Sequence, residues 1–222
     1  MEILKLLIEP DFFAATLRLT TPLLLAALGG VFSERSGVLN LGLEGSMLMG
    51  AFFGYLGALY TQNVFFGFVL AAVAGAVLSL IHAFMSVTIR VNQIVTALGV
   101  NMLALGVTST AFRMIFGNDL AQVESPGLVA VNFGSLSKIP FLGKVIFGQT
   151  AIVYVAFLLI PIIHYIMFST HWGLKIRATG EHPKAVDTVG IDVYTVRYTG
   201  VLISGILAGL GGAAVTLIKT PV

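Results

Sequence analysis

The chain has 222 residues, 57% of them hydrophobic, and a mean hydropathy of +0.99. Only 10% are charged, against about 25% in an average soluble domain, which excludes a water-soluble fold because so few charges cannot cover its surface. The absence of cysteine excludes disulfides, thiolate metal sites and cysteine nucleophiles, and the unclustered net charge of +2 gives nucleic-acid binding no support.

The placement of charge predicts the elements. No charged residue occurs between Glu44 and Arg90, Arg90 and Arg113, Lys144 and Lys175, or Arg197 and Lys219. A helix that crosses a bilayer needs about 20 mostly apolar residues, so the first gap holds two spans and each of the others one. Six spans follow in chain order: Ala14–Phe32, Val38–Tyr60, Val64–Ile89, Ile94–Phe116, Ala151–Phe168 and Tyr198–Ile218. Arg18 interrupts the first. We read it as a span rather than a signal peptide, because its charged n-region is poor and no clear A-x-A cleavage site follows. The whole is expected to be an all-α polytopic membrane bundle.

The segment Ser33–Met49 (SERSGVLNLGLEGSMLM) places Asn40 and Glu44 in apolar surroundings, four residues apart, where they could share one helix face. Gly37, Gly42 and Gly45 predict a broken run into the membrane, a geometry tolerated only where protein or a cavity covers the backbone. Asn40 and Glu44 are thus either part of a gate or a polar cluster that orients helices. In the fourth span Gln93, Asn101 and Thr108 fall near one helical stripe. The stripe fits a route for a polar solute and fits interhelical hydrogen bonding equally well. His82 and His164 stand alone in apolar spans without a carboxylate at suitable spacing, so both read as structural groups and no metal site is expected. Gly50-x-x-x-Gly54 and Gly205-x-x-x-Gly209 suit close helix packing.

The long connection Gly117–Gly148 carries Pro126 and Pro140. Ser169–Arg197 is the most polar stretch, and within it Pro183 can open a short helix that Gly190 stops. That helix is either a docking element for a soluble partner or a passive loop. The positive-inside rule places Lys175, Arg177, Lys184 and Arg197 in the cytoplasm, with Arg35 and Arg90 beside them by alternation. Lys5, Lys138, Lys144 and Lys219 then lie on the opposite side, with the N-terminus. Arg18 and Arg113 fall in outer halves of spans, where they can snorkel. No G-x-x-x-x-G-K-[ST] phosphate loop, H-E-x-x-H motif or G-x-S-x-G elbow occurs, so neither ATP hydrolysis by that route nor an intramembrane hydrolase is supported.

Four segments together resemble a known family. ERSGVLNLGLEGSMLMGA (Glu34–Ala51), RVNQIVTALGVNMLA (Arg90–Ala104), ATGEHPKAVDTVGIDV (Ala178–Val193) and SGILAGLGGA (Ser204–Ala213) resemble the permease subunits of bacterial ABC importers. The branch is the one for branched-chain amino acids, simple sugars and nucleosides. Within it, GVLNLGLEG and the GEHPKAVDTVGIDV loop are most similar to nucleoside permeases served by a basic-membrane-protein type lipoprotein.

The resemblance implies a type II-like importer permease fold, with residues 1–222 as one transmembrane domain in the plasma membrane. It implies a cytoplasmic loop over 169–197 whose coupling helix meets a separate ATPase through Gly180, Glu181, His182, Pro183, Ala185, Gly190 and Ile191. It further implies ATP on that partner, no cofactor or catalytic residue on this chain, a second related permease as a heterodimer partner, and an extracytoplasmic solute-binding lipoprotein. Asn40, Glu44, Gln93, Asn101 and Thr108 are the candidates for the substrate pathway. Family members run longer, with further spans after SGILAGLGGA, whereas this chain stops at Pro221–Val222. The resemblance therefore implies a bundle incomplete at its C-terminal side. Two other readings stay open: a secondary transporter or channel driven by an ion gradient, and a truncated remnant that does not transport.

Overall fold

The computed structural model describes residues 9–117, 126–131 and 142–218. Lys5, Lys138, Lys219 and most of the long connection lie outside the described residues, as does the side chain of Lys144. The described elements are helices: α1 (Pro10–Arg35), α2 (Leu43–Thr61), α3 (Val64–Ala83) continued by a π-helical turn (Phe84–Thr88), α4 (Gln93–Phe116), α5 (Leu142–Val145), α6 (Ala151–Ser169), α7 (His171–Glu181), α8 (Pro183–Thr188) and α9 (Val193–Leu217).

Among the described residues five helices are long and apolar enough to cross a membrane: α1, α3 with its π turn, α4, α6 and α9. The remaining expected span is α2, which begins at Leu43 rather than at Val38. Its 19 residues rise about 28 Å, close to the thickness of a hydrocarbon core. Glu44, four glycines and two tyrosines dilute its hydropathy.

α9 is the hub. In its most apolar window 67% of residues are buried, against 22–33% for the other four spanning helices. Lipid tails are as apolar as leucine, so helices in a bilayer associate by close van der Waals packing and interhelical hydrogen bonds rather than by hydrophobic exclusion. The sequence supplies that packing with glycine. A Cβ at Gly50 of α2 would collide with the backbone of Gly209 of α9, and one at Gly75 of α3 would collide with the carbonyl of Gly205. On the other side of α9, a Cβ at Gly29 of α1 would lie 2.7 Å from the carbonyl oxygen of Ser204. The two small-residue patterns seen in the sequence thus meet at Gly50 and Gly209, while Gly205 and Gly209 also admit α3.

α6 and α7 flank α1. Leu28, Phe32, Ile163, Met167, Ile176, Val196 and Leu207 form one buried cluster that joins α1, α6, α7 and α9. Arg18 is anchored within the protein: its Nε donates to Gln149 Oε1 at 2.9 Å, and Gln149 Nε2 donates to the carbonyls of Ala14 and Val145. The described part of the long connection returns to the bundle, with Leu128 N–H donating to Leu217 O and Val131 N–H to Gln149 O.

Candidate functional site

Between α1 and α2 the chain leaves helical geometry. Gly37 takes φ +84°, and residues 38–42 lie outside any helix, tied at their ends by Val38 N–H donating to Ser33 O and Ser46 N–H donating to Gly42 O. Asn40 Nδ2 donates to Ser204 Oγ at 3.2 Å, and Ser204 stands halfway along α9. The break therefore lies deep in the bundle, where unpaired peptide groups cost several kcal/mol each in hydrocarbon.

A collar of polar side chains removes that cost. Leu39 N–H donates to Gln93 Oε1 at 2.8 Å, and Leu39 O faces His82 Nε2 at 3.3 Å. Gly42 N–H donates to Asn40 Oδ1 at 3.1 Å. Asn101 spans the gap, its Nδ2 donating to Leu41 O at 3.1 Å and its Oδ1 accepting from Gly45 N–H at 2.9 Å. Ser46 and Ser79 hydroxyls meet at 3.2 Å. Val38 is buried against Ala83, Val87 and Val201, so the break also packs on the π turn that ends α3. Ser86 Oγ, donating to His82 O at 2.7 Å, stands within that turn.

These contacts separate the candidate pathway residues. Asn40, Gln93 and Asn101 are brought together around the break, and each makes at least one hydrogen bond to its backbone. Thr108 is buried two turns further along α4 and donates to Ala104 O within its own helix. It lines a cleft of about 540 Å³ with Phe52, Tyr55, Ser109 and Phe112. Asn40 and Glu44 do not share a helix face, because Asn40 precedes α2 and Glu44 lies in its first turn. Glycine and the Asn40 side chain hold residues 40–42 out of helix, which overrides the four-residue spacing. Glu44 is exposed, at a helix start where the aligned peptide dipoles favour negative charge.

The sequence reading missed His82, Ser204, Ser46 and Ser79 as members of the collar. A signal was present for one face: Ser79, His82 and Ser86 recur at three- and four-residue spacing along α3. His164 lies away from the collar, exposed on α6, its ring 4.8 Å from that of Phe168. Among the described residues no cluster of metal-ligating side chains occurs.

The second candidate element is the α7–α8 pair. Thr170 Oγ1 caps α7 by accepting from Gly173 N–H at 3.2 Å. Pro183 occupies the first turn of α8, and Gly190 at φ +81° follows it. Gly180 is half-buried, with the side where a Cβ would stand packed against the carbonyl of Arg35 and the backbone of Gly37. Glu181, His182, Ala185 and Gly190 are exposed, while Pro183 and Ile191 are half-buried and Val186 is buried. An apolar groove of about 490 Å³ runs between the two helices, bounded by Leu174, Ala178, His182, Ala185, Val189 and Ile191. Val189 is 72% exposed. The pair presents an apolar edge at the end of the bundle richest in basic residues.

Residues 12–221 match the family described as branched-chain amino acid transport system / permease component. This chain belongs to that family. The guanosine ABC transporter permease protein NupQ of Bacillus subtilis is 44% identical over 212 residues, covering 89% of this chain and 64% of the relative. The putative glucose ABC transporter permease protein TsgC13 of Haloferax volcanii is 36% identical, covering 91% and 61%. The nucleoside ABC transporter permease protein NupC of Lactococcus lactis subsp. cremoris is 36% identical, covering 87% and 63%. The chain thus spans less than two thirds of the length of these relatives. No solved structure matches it. Family and helices together make it a multi-pass protein of the plasma membrane.

Proposed function

We propose that this chain is the membrane-spanning permease subunit of an ATP-driven importer for nucleosides or related sugars. The observation that carries the reading is the exposed apolar edge of α7–α8 on a family permease, projecting from the end of the bundle that the positive-inside rule assigns to the cytoplasm. A separate ATPase would seat Glu181, His182, Pro183, Ala185, Gly190 and Ile191. ATP would act on that subunit and not on this chain.

Movement at α8 has a physical route to the break. Pro183, Lys184 and Asp187 of α8 share one cleft with Ser86, Val87 and Gln93. Val87 packs on Val38, and Gln93 holds Leu39. A bundle with two arrangements of this region would alternate access on either side.

Glu44 is the strongest pathway residue. An ionisable group halfway through a bundle faces protein or water rather than lipid, and Glu44 is exposed on this chain. We place it toward the partner permease and the solute route, with Thr108 farther along. Asn40, Gln93 and Asn101 shape the route by holding the break. The substrate class rests on the names of the guanosine and nucleoside relatives, and the glucose relative keeps sugars within it. A second, related permease would cover the exposed side of α4, and a lipoprotein receptor would deliver solute.

Uptake of radiolabelled guanosine and glucose into cells expressing the chain with its neighbouring genes tests this. ATP-dependent accumulation of either solute is expected. Uptake that survives ATP depletion but collapses with a protonophore would instead indicate an ion-gradient transporter.

A further inference from the structure

At the end of the bundle that carries α8, a cleft of about 530 Å³ opens where three spanning helices terminate. Its lining includes Arg90, after the π turn of α3, Arg197 in the second turn of α9, and Lys184 on α8, with Asp187 the acid among its lining residues. Three cations against one carboxylate make its lining net basic. Among the described residues neither arginine is held by an acid: Arg90 Nη2 donates to Tyr194 Oη at 2.6 Å, and Arg197 Nε donates to the carbonyl of Ser36 at 3.3 Å. Arg90 takes φ +62°, a left-handed backbone that residues other than glycine rarely adopt and that marks stored strain. Three like-charged side chains gathered in one cleft repel one another, and the single carboxylate of Asp187 offsets one of them, so the arrangement favours an anion.

The surroundings indicate which anion. The cleft lies at the ends of spans, at the depth where tyrosine and lysine or arginine meet lipid headgroups. Tyr194 lines it, and Ile89 and Ile94 flank Arg90 with about half of their surface exposed. A phosphate in the cleft would thus have apolar surface beside it for an acyl chain. Basic pockets between spanning helices on the cytoplasmic side suit acidic headgroups.

We propose that this cleft binds the phosphate of an anionic phospholipid headgroup through Arg90, Lys184 and Arg197. The proposal uses the orientation given under Proposed function but not the transported solute. Bound there, the phosphate ties the end of α3 and the start of α9 to α8, so lipid composition would set the resting position of α8.

The test is native mass spectrometry of the full chain, purified in detergent and titrated with phosphatidylglycerol, with phosphatidylcholine, and with inorganic phosphate alone. Phosphatidylglycerol should bind in preference to phosphatidylcholine, and each of Lys184→Gln, Arg90→Gln and Arg197→Gln should weaken it roughly five-fold. Lys184→Gln is the decisive variant, because its side chain is exposed on α8 and leaves the span contacts in place. Arg113→Gln removes the same charge at the other end of α4 and should leave binding unchanged. Equal binding of the two lipids, or phosphatidylglycerol binding untouched by the three variants, would overturn the proposal. Binding of inorganic phosphate without any lipid preference would overturn it in favour of a soluble anion. Unchanged lipid binding with lost ATPase association would overturn it in favour of a protein contact.

Discussion

Gly180 lies directly against the main-chain carbonyl of Arg35, so that even a methyl group at position 180 would collide with that oxygen. The contact welds the end of α7 to the end of α1. A substitution at Gly180 therefore tests packing before it tests docking, whereas Ala185 is exposed on α8. Gly180→Ala should lower thermal stability in detergent by the ~1–3 kcal/mol usual for overpacking. Ala185→Asp should leave the unfolding midpoint unchanged and abolish ATPase binding. Thermal unfolding followed by pull-down of each variant separates the two effects.

Asn101 and Glu44 are predicted to fail differently. Asn101→Leu strips partners from Gly45 N–H and Leu41 O, which should cost about 1–3 kcal/mol for each group left unsatisfied. Glu44→Gln removes a charge from an exposed position and should reduce uptake while leaving the unfolding midpoint in place. Uptake and unfolding measured on the same preparations check both. A stable Asn101→Leu chain with normal uptake would mean that the break does not depend on its collar.

How much of this was legible in the sequence differs from element to element. Charge-free gaps marked the spans, because charge is excluded from hydrocarbon whatever the packing. Gly37 and Gly42 announced the break. The collar was only half legible: periodicity places Gln93 and Asn101 on one stripe but says nothing about what they face. That Asn40 meets Ser204, 164 residues away, is decided by glycine-mediated packing of α9. Four-residue spacing put Asn40 with Glu44, and local backbone geometry separated them. The strained backbone of Arg90 left no trace in the pattern.

Acid should act at the start of α9. The Thr195 hydroxyl, foremost, and the Tyr194 N–H donate to the Asp192 carboxylate and hold it below its ordinary value of 3.8. The folded state therefore favours the charged form, so this contribution is complete above 3.8 and disappears as pH falls through the lowered folded value. Asp192→Asn keeps a side chain able to cap the helix and should flatten the acid arm of the stability curve. Unfolding midpoints of the two chains across acidic pH measure it. Parallel curves would contradict the assignment.

The absence of cysteine makes topology directly testable. Lys184→Cys should react with an impermeant maleimide only in inside-out vesicles, and Gln62→Cys, at the end of α2, only in right-side-out cells. The reverse pattern would invert the orientation and with it the side on which α8 meets a partner.

The most direct measurement of the central claim is co-purification of the tagged chain expressed with its neighbouring genes, followed by mass spectrometry, for the natural sequence and for Ala185→Asp. The account predicts an ABC ATPase and a second permease with the natural chain, and loss of the ATPase alone with the variant. Recovery of a folded chain without any ATPase, or equal ATPase recovery from both, would contradict it.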